Sequence, residues 1–208
     1  MWKKVSTNNK QSTPWTKETV IQRIGKSSLQ NDILGGLFEQ HEDVGDCHYF
    51  CSELLNTLQS HPAFHFINEQ PVINIRHQHN NVTSVETAHS KITGDRYVIV
   101  AGVHSTQLAR LLGISLPVYP MKGYSVTVPA TQSCPDISIT DTKTKTVYCR
   151  LGDRLRIAGF AEFSGYNTII DPERIQTLLS NAKDLLPNAG HYDNPINKWC
   201  GLLSLIHI

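Results

Sequence analysis

The chain has 208 residues, of which 39% are hydrophobic and 18% charged, and its formal net charge is +1. That length and composition exclude a disordered polymer and allow one sizeable core, or one domain and part of another. The near-neutral balance removes the electrostatic case for nucleic acid, and no apolar run approaches the roughly 20 residues that span a bilayer.

The opening Met1-Trp2-Lys3-Lys4 is followed by Ser, Thr, Asn and Gln rather than an apolar signal core, which points to a cytoplasmic chain. Residues 1–13 are polar and read as frayed or disordered. Thr13-Pro14 offers an N-cap and a first-turn proline for a short helix over 16–29, which Gly35-Gly36 breaks before Leu37-Phe38-Glu39 extends. Asp46 is an N-cap candidate. After it Cys47, Phe50, Cys51, Leu54 and Leu58 fall at helical spacing, which predicts an amphipathic helix to about residue 59 with that face buried. Phe64–Ile67 and Pro71–Ile75 carry strand signals, Asn80-Asn81 marks a turn, and Val82 and Val85 begin a return strand.

Lys91 to Arg96 reads as a polar hairpin turn leading into Tyr97-Val98-Ile99-Val100-Ala101-Gly102. This continuous apolar run is the pattern of a strand covered on both faces, as in parallel sheets. A helix from Ser105 to about Leu112 follows. Beyond Pro117 the texture changes. Tyr124, Val126 and Val128 alternate, and two further strand runs, Thr146–Leu151 and Arg154–Phe163, bracket Gly152-Asp153, a type I′ hairpin signal. Asp171-Pro172-Glu173 caps a helix carrying Ile175, Leu178, Leu179, Ala182, Leu185 and Leu186, stopped by Pro187. The pattern is α/β, with a parallel-type strand and helices first and an antiparallel sheet with its own helix second. A boundary near 114–120 separates the two.

Few residues announce chemistry. The five cysteines are odd in number and scattered, so reduced thiols are expected rather than a disulfide framework. Cys47 and Cys51 flank His48, but no second pair at matching spacing completes a zinc site, and two small residues on a helix face are the plainer reading. His77 and His79 alternate on an expected strand and complete no site. There is no G-x-G-x-x-G loop, no G-x-S-x-G elbow and no H-E-x-x-H helix. Gly102, at the end of its strand, is the nearest approach to a ligand position in an open α/β sheet, although such glycines are mostly turn residues.

Longer stretches carry a resemblance. Gly35-Gly36-Leu37 through Asp46-Cys47, Tyr97 through Thr106, and above all Leu116-Pro117-Val118-Tyr119-Pro120-Met121-Lys122-Gly123-Tyr124-Ser125-Val126-Thr127-Val128-Pro129 resemble D-amino-acid dehydrogenases. Arg150–Gly159, Ala161-Glu162, Gly165-Tyr166-Asn167, Lys183–Pro187 and Lys198-Trp199-Cys200-Gly201-Leu202 continue it, so that it covers about residues 35–202.

The resemblance implies the D-amino-acid oxidase-like flavoprotein fold, in which part of a Rossmann-type FAD domain is interleaved with an antiparallel-sheet substrate domain. On that footing 1–34 is a polar segment with a short helix, 35–116 part of the FAD domain, 117–202 the substrate sheet with its helix, and 203–208 a non-native tail. FAD is the implied cofactor, a D-amino acid the implied substrate and a membrane quinone the implied electron acceptor, with no metal and no nucleic acid. A peripheral place at the inner membrane would go with the quinone. The alternatives are a glycine or sarcosine-type flavin oxidase and a non-catalytic amino-acid-binding remnant.

The resemblance places Val72 near the adenine side of FAD and Ala101-Gly102 near its pyrophosphate or ribose. It sets Lys122 and Tyr124 on a strand facing substrate, against the plainer readings of a paired lysine and a packed aromatic. Tyr148 matches no family tyrosine, and a turn role suits His104. Two departures stand out. The glycine fingerprint has no counterpart here, and Leu203 stands where the family's Trp-x-Gly-Leu-Arg-Pro has arginine. A chain lacking both is expected to be inactive alone.

Overall fold

A computed structural model describes residues 12–25 and 33–205. The expectations for residues 1–11, for the end of the first helix beyond Gly25 and for residues 206–208 lie outside the described residues. The chain divides into two compact units, one of Met1–Asp46, Tyr124–Phe160 and Ile169–Cys200, the other of Cys47–Gly123, Ala161–Thr168 and Gly201–Ile208.

In the first unit, β1 (Thr13–Thr16) pairs antiparallel with β2 (Gly35–Phe38), and the Trp15 and Phe38 rings stack 4.3 Å apart. Thr13-Pro14 therefore belongs to a strand and not to a helix start. The cap falls on Thr16, whose Oγ1 accepts from the Thr19 N–H at 3.3 Å and opens α1 (Lys17–Ile24). The stacked ring pair holds the chain extended through Trp15, and local capping decides the helix only after that.

The sheet that follows comprises β6 (Tyr119–Pro129), β7 (Ile139–Asp141), β8 (Thr146–Leu151), β9 (Arg154–Glu162) and β10 (Asn197–Leu205), in the order β10-β6-β9-β8-β7. Unit bounds fall within β6, β9 and β10. Strands β8 and β9 pair antiparallel through Leu151↔Arg154, as Gly152-Asp153 predicts. Only Gly152 has a positive φ (+64°) there, which is the type II′ pattern rather than I′.

Helix α4 (Pro172–Leu185) begins at Asp171, whose side chain accepts from the Glu173 N–H at 2.9 Å. Its Ile175, Leu178, Leu179 and Ala182 join Tyr124, Val126, Val128, Tyr148, Leu155 and Ile157 in one apolar core. Each large side chain buried in this way contributes about 1.5–3 kcal/mol. The alternation along the sheet strands and the 3.6-residue period of α4 meet on this face, so the sequence pattern dictates the packing.

The second unit holds α2 (Cys47–Gln59), the antiparallel β3 (Asn74–Gln78) and β4 (Asn81–Glu86), the short β5 (Lys91–Ile92), and α3 (Ser105–Arg110). Lys91-Ile92 thus pairs with β4 instead of forming a turn, and Phe64–Ile67 forms no strand. Two expectations of burial also fail. The apolar face of α2 is open, with Phe50 65% and Leu54 45% exposed. The run from Tyr97 to Ala101 pairs with no strand among the described residues, and Val98 and Val100 are 81% and 85% exposed. Tyr97 is fixed because its hydroxyl accepts from the Gly94 N–H and donates to the Thr83 carbonyl. A strand covered on both faces needs flanking strands, and none of the described residues supplies them.

Candidate functional site

The face of the sheet opposite the α4-packed core carries polar side chains. On β6 the neighbours of Tyr124, Val126 and Val128 are Ser125 and Thr127, both buried, and side chains alternate along a strand. Across the sheet, Cys149 of β8 stands opposite Arg156 of β9. The Arg156 guanidinium donates to Ser125 Oγ at 3.0 Å and lies 5.7 Å from the centre of the Trp199 ring on β10. One rung along, Arg154 is ion-paired with Asp46 at 3.1 Å. The Cys149 thiol is pushed above its ordinary pKa by burial, with Asp46 adding to the shift and Arg156 opposing it. Arg156 itself has no carboxylate within ion-pair distance among the described residues.

In the second unit, Val72 is half-buried just before β3, where the neighbouring Ile73 N–H donates to the Glu86 carbonyl at 2.8 Å. Ala101 donates its N–H to Ser105 Oγ at 3.0 Å, and a 3-10 turn over Gly102–His104 leads directly into α3. Gly102 has φ +53°, a conformation that costs a residue with a Cβ about 1 kcal/mol or more, and its exposed backbone faces open space apart from Ser204 Oγ, 3.8 Å from where a Cβ would stand. Beside it the His104 and Tyr166 rings lie 5.4 Å apart, and the Tyr166 hydroxyl donates to the Val103 carbonyl.

Val72, Ala101, Gly102 and Lys122 therefore belong to one unit and Tyr124 to the other. Lys122 is 2% exposed; Tyr124 is 3% exposed, packed in the apolar core with its ring edge-on to Phe160 at 5.9 Å. Arg156, Ser125 and Trp199 escape a motif search because they come from three separate strands, and Ser204 because it is far in sequence from Gly102. The alternation of Arg154, Arg156 and Ala158 with Leu155 and Ile157 was the available signal that one arginine pair shares a face. Among the described residues no group of three or more His, Cys, Asp or Glu side chains could hold a metal ion, and no helix is long and apolar enough to cross a membrane.

The sequence profile of a family described as FAD dependent oxidoreductase matches residues 3–207. The D-amino acid dehydrogenase of Paramagnetospirillum magneticum is 39% identical over 177 residues, covering 84% of this chain and 42% of that protein. D-amino acid dehydrogenase 2 of Pseudomonas aeruginosa is 37% identical over 172 residues, covering 82% of this chain and 41% of that protein. This chain thus spans well under half the length of these relatives. Among solved structures, glycine oxidase from Geobacillus kaustophilus superposes with a TM-score of 0.83 at 19% identity, covering 96% of this chain and 52% of that one.

Proposed function

The chain belongs to the FAD-dependent oxidoreductase family, and from that premise we propose that the protein carrying it oxidises a D-amino acid to a 2-oxo acid and ammonia, passing the electrons to a membrane quinone. The observation that carries this reading is the identity to D-amino acid dehydrogenases along most of the chain. A peripheral site at the inner membrane belongs to the same proposal, since a quinone resides in the bilayer.

The residues present fit one edge of a dinucleotide. Gly102 offers bare backbone in a left-handed turn, and the Ser105 and Ser204 side chains lie beside that turn. On this reading Ala101 and Gly102 would lie along the pyrophosphate or ribose, and Val72 would present its backbone to the adenine side. When bound, FAD supplies a two-electron acceptor for the hydride that leaves the amino acid's α-carbon. The chain's own task is to bind and orient the substrate over the polar sheet face and to keep water from it. Lys122 and Tyr124 are proposed as support for that sheet, with Tyr124 packed in the apolar core, edge-on to Phe160, and its neighbour Ser125 left on the polar face. The domain reading places 35–116 with the cofactor and 117–202 with the substrate.

The test is a product assay on the protein carrying this chain, supplied with a water-soluble quinone or with dioxygen. Pyruvate and ammonia from D-alanine with the quinone support the proposal. Turnover of glycine or sarcosine in preference to D-alanine, with dioxygen as acceptor, would replace it with the oxidase reading.

A further inference from the structure

Two of the five cysteines stand together on α2, where neither packing nor the flavin chemistry uses them. Cys47 opens the helix and Cys51 follows one turn later, so their side chains project from the same face. Both are exposed, and no residue of α2 is buried. The two thiols lie within hydrogen-bond reach of each other, and that contact raises the Cys51 pKa above the ordinary thiol value. Cys134 is buried and Cys149 and Cys200 are only partly exposed, so the α2 pair is the most accessible sulfur in the chain.

Geometry decides what such a pair can hold. Cβ atoms one turn apart on a helix stand about 5–6 Å from each other. A disulfide needs them about 3.5–4.5 Å apart, so direct oxidation would have to unwind the first turn. A bound ion is less demanding. A thiolate sulfur sits about 2.3 Å from a zinc-sized ion, so two sulfurs on one ion stand up to about 4.6 Å apart. Side chains already in contact span that gap by rotation about χ1, with the helix intact. A structural zinc ion takes four ligands, yet among the described residues no group of three or more His, Cys, Asp or Glu side chains comes together. His48 does not join the pair, because adjacent residues on a helix point about 100° apart.

We propose that Cys47 and Cys51 together bind a soft ion that is satisfied by two ligands, copper(I) in chemical class, as a bis-thiolate. Thiolate ligands select copper(I) over the harder divalent ions. Two Cu–S bonds form, the two S–H protons leave to solvent, and no electron is transferred. The site belongs to α2 alone and does not depend on the amino-acid oxidation proposed above.

The test titrates copper(I) anaerobically, against a competing copper(I) chelator, into the whole protein that carries this chain. The expected result is an ion whose affinity falls about 100-fold or more in Cys47→Ser and equally in Cys51→Ser, within the gain that linking two donors brings. His48→Gln should bind as the wild type does, and zinc(II) should bind far more weakly than copper(I). A measurement that needs no variant accompanies it. A maleimide should label Cys47 and Cys51 in the native protein, read by peptide mass, and copper(I) should protect both together. Wild-type copper(I) affinity in the serine variants overturns the inference, as does zinc(II) held as tightly as copper(I). If a serine variant does not fold, the labelling decides. Thiols that the maleimide cannot reach without copper(I), or that it labels equally with copper(I) present, contradict the site.

Discussion

Gly190 and Val128 meet so closely that a Cβ on Gly190 would stand 2.7 Å from Val128 Cγ2, with Leu155 Cδ2 at 3.3 Å. The contact ties the segment after α4 to the sheet through the isolated bridge Ala130↔Gly190. Val128 is fully buried, so it has nowhere to move. Gly190→Ala should therefore destabilise by about 1–3 kcal/mol through overpacking. Denaturant unfolding checks this, and an unchanged midpoint contradicts it.

Alkaline pH should weaken the fold through its buried tyrosines. Burial raises the Tyr192 pKa far above the ordinary phenolic value and raises that of Tyr148 in the same direction. Below a pH of about 10 the folded and unfolded chains both hold these protons, so the full stability is present. Above it the unfolded chain releases protons that the folded chain keeps, and stability falls by up to about 1.4 kcal/mol per pH unit for each group. Unfolding midpoints measured across that pH should decline, and less steeply in Tyr192→Phe. That variant also loses the bond from the Tyr192 hydroxyl to the Leu186 carbonyl, so its midpoint near neutral pH starts lower.

Tyr148→Phe should behave differently. The Tyr148 hydroxyl is buried without a partner in hydrogen-bond geometry, although Thr144 and Thr146 lie near enough to influence it. Removing a buried oxygen that makes no full bond costs little, so stability should change by less than about 1 kcal/mol. A loss beyond about 2 kcal/mol would mean that the hydroxyl is bonded.

The open faces of the second unit make a prediction about solution behaviour. Phe50, Leu54, Val98 and Val100 are all exposed, and the segment around Val98 and Val100 presents unpaired backbone. Such surfaces promote self-association. The 208-residue chain should scatter light and bind an apolar dye, and the pair Val98→Lys and Val100→Lys should reduce both without lowering the unfolding midpoint. A monodisperse chain with no dye binding contradicts this.

What the sequence disclosed follows where local and tertiary signals agree. The Asp171-Pro172 start and the apolar period from Ile175 to Ala182 define α4 because cap and buried face coincide. The alternation from Tyr124 to Val128 defines β6 for the same reason. Where a segment needs partners distant in sequence, the pattern misleads. The period of α2 is correct but its apolar face is uncovered, and the run at Tyr97–Ala101 has strand composition without a ladder. Thr13-Pro14 has helix-start chemistry, yet the stacking of Trp15 on Phe38, 23 residues away, extends it. The turn at Gly102 was legible, because a glycine closing an apolar run signals the left-handed conformation it adopts, with φ +53°. Arg156 was not, because its meaning depends on Ser125 and Trp199, which only the sheet order brings beside it.

The family reading stands or falls most directly on one anaerobic experiment with the protein that carries this chain. D-alanine or L-alanine is mixed with the flavin-loaded protein and the visible flavin absorbance is followed. Bleaching by the D-enantiomer alone, with pyruvate formed in equal amount to the flavin reduced, is the predicted result. A protein that takes up no flavin, or one that is reduced as readily by the L-enantiomer, contradicts it.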